Sequence, residues 1–186
     1  KFSMDAPATA RNITIMFTDL TSFTHKSQQL GAASVSKLLN DYLTAMNDII
    51  FKHQGTIDKF IGDAIMVMFG APKPMAAPEQ VERATRCAIE MQNAMTMLSR
   101  EWEVQGVSKL TMRIGIHHGE AIVGNFGSDK RSDYTSIGPE VNKASRIEGV
   151  CSKGDILISS EVEKLLPSTI QTECVGEHTL KGIDDV

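Results

Sequence analysis

The chain has 186 residues, 41% hydrophobic and 23% charged, which suits one domain with a substantial buried core. A formal net charge of −4 with no compensating Lys/Arg stripe excludes a nucleic-acid footprint. Cys87, Cys151 and Cys174 lack paired metal spacing and read as reduced thiols, no apolar run reaches the roughly 18 residues of a membrane span, and no signal-peptide pattern is present.

Residues 1–11 are rich in Ala and Pro and read as a loose leader. An apolar run over 12–18 predicts a central strand. Val35, Leu38, Leu39, Tyr42, Leu43, Met46, Ile49 and Ile50 recur at helical spacing and predict a helix over about 27–52, stopped by Gly55. Residues 56–61 and 64–69 form two strand-like runs joined by Gly62-Asp63, a hairpin signature. A breaker at 70–74 precedes a helix beginning at Glu79, with Val81, Ala84, Ala88, Met91, Met95 and Leu98 on its inner face. Residues 110–117 and 120–126 read as a strand pair turning at Gly119, followed by a polar loop over 127–132 and an extended stretch over 133–137. Pro139 opens a helix through Ile147, 155–159 is a short strand, and Ser160 with Glu163 forms a capping box for a helix to Leu166. Residues 170–181 read as β. The early order β-α-β-β-α-β is a mixed α/β arrangement of the ferredoxin-like kind, with further β and α elements after it. That architecture hosts unrelated functions and identifies none.

The chemistry-bearing signal is a pair of acids, each where an apolar run breaks. Asp19 ends the run 13–18; Asp63 lies between the strands of the hairpin. Hard divalent cations take carboxylate and carbonyl oxygens, so Asp19, Asp63 and the carbonyl of Leu20 make a candidate metal site. The bland alternative is a helix cap and a hairpin turn. Phe17, Thr18, Thr21, Ser22 and Phe23 surround Asp19 where a helix starts, a place where backbone N–H groups can cradle phosphate. His117 and His118 precede Gly119 without a second Cys/His pair, which argues against zinc and for a strand residue facing core or interface.

Four ordered stretches carry a resemblance: Phe17–Thr24, Asp58–Ala64, Arg113–Gly119, and Asp133–Gly138 running into Val141–Glu148. The sequence resembles the class III adenylate/guanylate cyclase catalytic domain, of bacterial adenylate cyclase type, over about 12–186. The resemblance implies the class III nucleotidyl cyclase fold, a ferredoxin-like βαββαβ core with C-terminal βαβ-type additions. It also implies a head-to-tail homodimer that converts a nucleoside triphosphate to a 3′,5′-cyclic monophosphate and pyrophosphate. Asp19 and Asp63 match the aspartates that hold two ions, Mg²⁺ or Mn²⁺. Arg113 falls on a phosphate-contacting arginine of the same subunit, and Lys181 on a phosphate-contacting lysine. Lys59 and Thr135 fall on the base-recognition pair of the opposite subunit. Asn142 matches the asparagine that positions the nucleotide and Arg146 the arginine that stabilises the transition state. Spacing agrees for that last pair, since four residues put both on one helix face.

The residue types favour ATP. Lys59 can donate to adenine N1, and Thr135 can accept from the 6-amino group; guanine presents the reverse polarity. A guanylate cyclase and a catalytically silent cyclase-like regulatory module are the alternatives. Gly138-Pro139-Glu140 and Lys143 depart from the family's usual pattern beside Asn142. The chain begins at Lys1, so a regulatory module is expected upstream in a longer protein. The expected location is cytoplasmic, with any membrane tether outside this segment and no membrane contact from it.

Overall fold

The computed structural model describes residues 7–178 and 180. Strand β1 (Thr9–Leu20) leads through α1 (Phe23–Ser27) to α2 (Ala32–Lys52), then to the hairpin β2 (Thr56–Ile61) and β3 (Ala64–Phe69). Helix α3 (Ala77–Val104), β4 (Met112–Ser128), β5 (Arg131–Ile137), α4 (Pro139–Val150), β6 (Ile156–Ile158) and α5 (Ser160–Glu163) follow. The sheet runs β2-β3-β1-β4-β5 with every neighbour antiparallel, and β6 joins β4 in parallel. Its first four strands, with α2 and α3 as crossovers, form the expected ferredoxin-like core. The remaining elements build outward from β4.

Strand alternation sorts the sheet into two faces. Met16, Leu20, Ile65, Val67, Phe69, Met112, Ile114 and Ile116 meet Tyr42, Met46 and Ile50 of α2 and Val81, Ala84, Ala88 and Met91 of α3. Ile13, Ile15, Met66, Met68, Ala121 and Val123 pack on the other face against Val141 and Ala144 of α4. Asp19 and Arg113 fall in the odd-numbered register of this second face, below α4.

Several expectations change. Residues 110–117 and 120–126 are not a hairpin: β4 is one 17-residue strand, and Gly119 sits opposite Ile13 inside it. Glycine there serves packing and not a turn. A Cβ at Gly119 would come within 2.6 Å of the Glu140 carboxyl, and one at Gly115 within 2.3 Å of the Glu148 amide nitrogen. Gly115 lets α4 lie directly on β4, and Gly119 leaves room for the Glu140 side chain. Length is what allows β4 to share one edge, pairing β6 along Ile114–Ile116 and β5 along Ile122–Ser128. The polar loop over 127–132 is therefore mostly ladder, with Ser128 opposite Arg131.

The leader is shorter than expected, because Thr9 to Arg11 pair with Val123 to Ala121. The first long helix starts at Ala32 and not near residue 27, because Gly31 caps it with an extended backbone (φ −67°, ψ 155°), and the one-turn α1 ends before it. Ser159, not Ser160, occupies the cap position of α5, and its hydroxyl is taken by His117, so no capping box forms. Residues 171–178 contain no strand. The remainder of that expected β stretch includes Lys181, which lies outside the described residues. No helix among the described residues is long and apolar enough to cross a membrane.

Candidate active site

The two aspartates converge because β3 pairs with the end of β1, with Thr18 opposite Ile65. That register sets the β2–β3 turn beside Leu20, whose N–H donates to Asp63 Oδ2 at 2.9 Å. Gly62 makes the turn with a left-handed φ of 61°, and a Cβ there would meet nothing within 4 Å. Backbone conformation, not crowding, calls for glycine at that position.

Asp19 faces Arg113 across the β1–β4 ladder. The guanidinium takes its carboxylate side-on, Nε to Oδ1 at 3.3 Å and Nη2 to Oδ2 at 3.1 Å, and Nη1 donates to the Gly149 carbonyl at 3.4 Å. Glu148, carried in by the close seat of α4, lies 3.8 Å from Arg113 Nε through Oε1. Burial, then Asp19 and finally Asp63, push the Glu148 carboxyl up to about 8 against the opposing pull of Arg113. Asp19 in turn holds the Arg113 guanidinium above its usual range.

Asp19 and Glu148 flank Arg113, and Asp63 acts on Glu148 from nearby, so the pocket holds more carboxyl groups than cations. Thr21 Oγ1 and Glu148 Oε1 are also buried without a hydrogen-bond partner among the described residues. Oxygen donors, excess negative charge and orphaned polar atoms suit a hard divalent cation. No cluster of three His, Cys, Asp or Glu side chains forms a ready cage among the described residues. Ions at Asp19 and Asp63 would therefore depend on substrate phosphates to complete their shells.

The expected phosphate cradle is partly used within the chain: besides Leu20, Thr21 N–H donates to the Thr111 carbonyl at 2.7 Å. Ser22 has a left-handed φ of 61° and starts the one-turn α1. Phe17 packs against the α4-side core, Phe23 against the opposite core, and Thr18 is buried.

A second cluster forms elsewhere. Lys59 on β2 and Thr135 on β5 belong to opposite ends of the strand order, yet both meet the wholly buried carboxylate of Asp58. Thr135 Oγ1–H donates to Asp58 Oδ2 at 2.5 Å, and Lys59 Nζ lies 3.7 Å from Oδ1. Among the described residues, no hydrogen bond or ion pair connects this cluster to the aspartates.

Asn142 and Arg146 lie exposed on α4, one turn apart. Arg146 makes no ion pair among the described residues, and it lines a groove with Ser145, Gly149, Val150 and Leu180. The departures beside Asn142 are accommodated locally. Glu140 pairs with buried His117, whose Nδ1 meets Ser159 Oγ at 2.7 Å, and Lys143 lies 3.6 Å from Glu161. Pro139 occupies the first turn of α4, where its missing N–H costs no helical bond.

Asp58 and Glu148 are the residues that sequence reasoning did not single out. Asp58 carried a signal, an acid within an apolar strand run. Glu148 carried none beyond its nearness to Arg146.

The family model described as the adenylate and guanylate cyclase catalytic domain matches residues 6–186. The chain belongs to this family, the class III nucleotidyl cyclases, whose chemistry turns ATP or GTP into a cyclic nucleotide. It is similar to the crystal structure of the adenylyl cyclase CyaB from P. aeruginosa, with TM-score 0.94 and 41% identity, covering 97% of this chain and 92% of that one. It is nearly as similar to the crystal structure of the guanylyl cyclase Cya2, with TM-score 0.91 and 38% identity, covering 97% and 90%. Overall likeness therefore does not choose the base. Among curated relatives, an adenylate cyclase of Anabaena cylindrica is 36% identical over 183 residues, 95% of this chain and 34% of its own length. Adenylate cyclase 1 of Rhizobium meliloti is 34% identical over 174 residues, 92% of this chain and 26% of its own length. The chain thus spans about a third or less of these curated relatives.

Proposed function

We propose that this domain is an adenylate cyclase that forms 3′,5′-cyclic AMP and pyrophosphate at a site shared by two copies. The observation that carries the choice of base is the junction of Lys59 and Thr135 around Asp58. It sets a cationic donor beside a hydroxyl, a pair suited to adenine N1 and its 6-amino group. At guanine, Lys59 would face the N1–H donor, an unpaired contact.

In this reading Asp19, Asp63 and the Leu20 carbonyl hold two Mg²⁺ or Mn²⁺ ions. When bound, such ions supply Lewis acidity that eases loss of the ribose 3′-hydroxyl proton and offsets phosphate charge. The side chains provide the rest. Arg113, poised on Asp19, can exchange that carboxylate for a phosphate oxygen. Phe17, Thr18, Thr21, Ser22 and Phe23 shape the wall beside the triphosphate. Asn142 of the second copy orients the nucleotide, and its Arg146 and Lys181 offset charge on the reacting phosphoryl group and leaving pyrophosphate. No side chain is required as the base.

The separation of the clusters supports a head-to-tail homodimer. Phe60 and Ile61 follow Lys59 on β2, and Ile137 is two residues from Thr135 and pairs with Ile122. Each of the four is at least 45% exposed, which suits a surface covered by a second copy. An upstream regulatory module in a longer chain would set how the copies meet.

Purified protein assayed with ATP and GTP, each with Mg²⁺ and with Mn²⁺, tests the reading. The expected result is cyclic AMP at a kcat/KM about tenfold or more above that for cyclic GMP. Equal or better use of GTP would make it a guanylate cyclase. No cyclic product under any condition would make it a silent regulatory domain.

A further inference from the structure

We propose that Asp58 is the residue that sets base specificity, by fixing the hydrogen-bonding polarity of Thr135. The inference rests on the reading that Lys59 and Thr135 meet the nucleobase.

A β-bulge is the first observation. The β2–β3 register pairs Ile57 with Val67 and Lys59 with Met66, so Asp58 is the extra residue between them. A bulge breaks strand alternation and re-aims a side chain. Here it sends the Asp58 carboxylate inward, fully buried, while Lys59 remains 46% exposed on the same strand. A buried carboxylate on an edge strand is costly and needs partners. It finds them on β5, at the other end of the strand order.

The second observation is how those partners are used. Asp58 Oδ2 accepts the Thr135 hydroxyl proton at 2.5 Å and the Ser136 N–H at 3.4 Å. A hydroxyl has one proton and two lone pairs. The competing acceptor, the Ser136 carbonyl, is 3.5 Å from Thr135 Oγ1. A charged oxygen an ångström nearer takes the proton. What Thr135 can offer a base is therefore a lone pair. Asp58 Oδ1 is buried without a hydrogen-bond partner among the described residues, and its nearest cation is Lys59 Nζ at 3.7 Å. One carboxylate thus anchors the donor and orients the acceptor. The pair accepts a 6-aminopurine and opposes a 6-oxopurine at both contacts, because a locked hydroxyl cannot turn to donate to O6.

The test uses two matched triphosphates, N6-methyl-ATP and 6-methoxypurine riboside 5′-triphosphate, which differ at position 6 by N–H against O. The purified protein should turn over the first with a kcat/KM about tenfold or more above the second. Asp58→Leu, which keeps the shape but has no oxygen to accept the Thr135 proton, should bring that ratio within about threefold and narrow the ATP-to-GTP preference. If Asp58→Leu does not fold, Asp58→Ala carries the same comparison and must give the same collapse. A wild-type ratio near one would mean the hydroxyl is free to donate, and would overturn the inference whatever the variants do. A high ratio that survives either substitution would overturn it as well. Both failures leave a wild-type preference for ATP over GTP standing. Loss of that preference would instead remove the base reading itself, and the inference with it.

Discussion

The aspartate cluster and the base cluster solve opposite problems with the same residue type. Around Asp19, two carboxyl groups meet one arginine with Asp63 nearby, and burial followed by Asp19 pushes Glu148 up to about 8. Around Asp58, one buried carboxylate is tied to a hydroxyl, an amide and a nearby ammonium group. The first arrangement is under-compensated and suits binding of cations and a polyanion. The second directs protons and suits discrimination between bases. In the proposed function, charge excess marks the place of reaction, and fixed polarity marks the place of recognition.

Breaking the reaction cluster should have the largest effect. Asp19→Ala or Asp63→Ala should lower turnover by about three orders of magnitude or more while circular dichroism and oligomeric state stay unchanged. Mixing Asp63→Ala with Arg146→Ala chains should restore about a quarter of wild-type activity, because half the dimers then carry one intact site. Heterodimers without activity would show that the site is not shared.

A change in how α4 sits on the sheet sharpens the contrast. Gly115→Ala puts a Cβ within 2.3 Å of the Glu148 amide nitrogen, so α4 must lift from β4. The expected cost is about 1–3 kcal/mol in denaturant unfolding, with a lowered kcat. The ATP-to-GTP ratio should hold, since Asp58, Lys59 and Thr135 are tied to β2 and β5. A shifted ratio would mean that the clusters are mechanically joined.

The smallest effect concerns Glu148. Its carboxyl is raised in the folded protein, so the protonated form is favoured on folding. The resulting stabilisation is complete below the ordinary glutamate range near pH 4.5 and is lost as pH rises through about 8. With a chelator present, Glu148→Gln should flatten that decline and raise Tm by a few degrees at pH 8 but not at pH 5. An identical pH profile for the two proteins would show that Glu148 titrates normally.

The sequence alone determined the strand-helix order, the hairpin at Gly62-Asp63, and the break points that put Asp19 and Asp63 at strand ends. These follow from local periodicity and turn chemistry, which short windows of sequence contain. Family motifs then named Lys59, Thr135, Asn142 and Arg146 before any contact was visible. Tertiary structure decided the rest. Glycine serves both turns and close packing, and only the β1–β4 ladder shows that Gly119 belongs to an unbroken strand. Period-two alternation cannot foresee a bulge, so the inward turn of Asp58 was hidden until β2 was paired with β3. The bond from Asp58 to Thr135 spans 77 positions, and that from Arg113 to Asp19 spans 94. Side-chain partners that far apart are set by sheet register and helix packing, which no local pattern encodes.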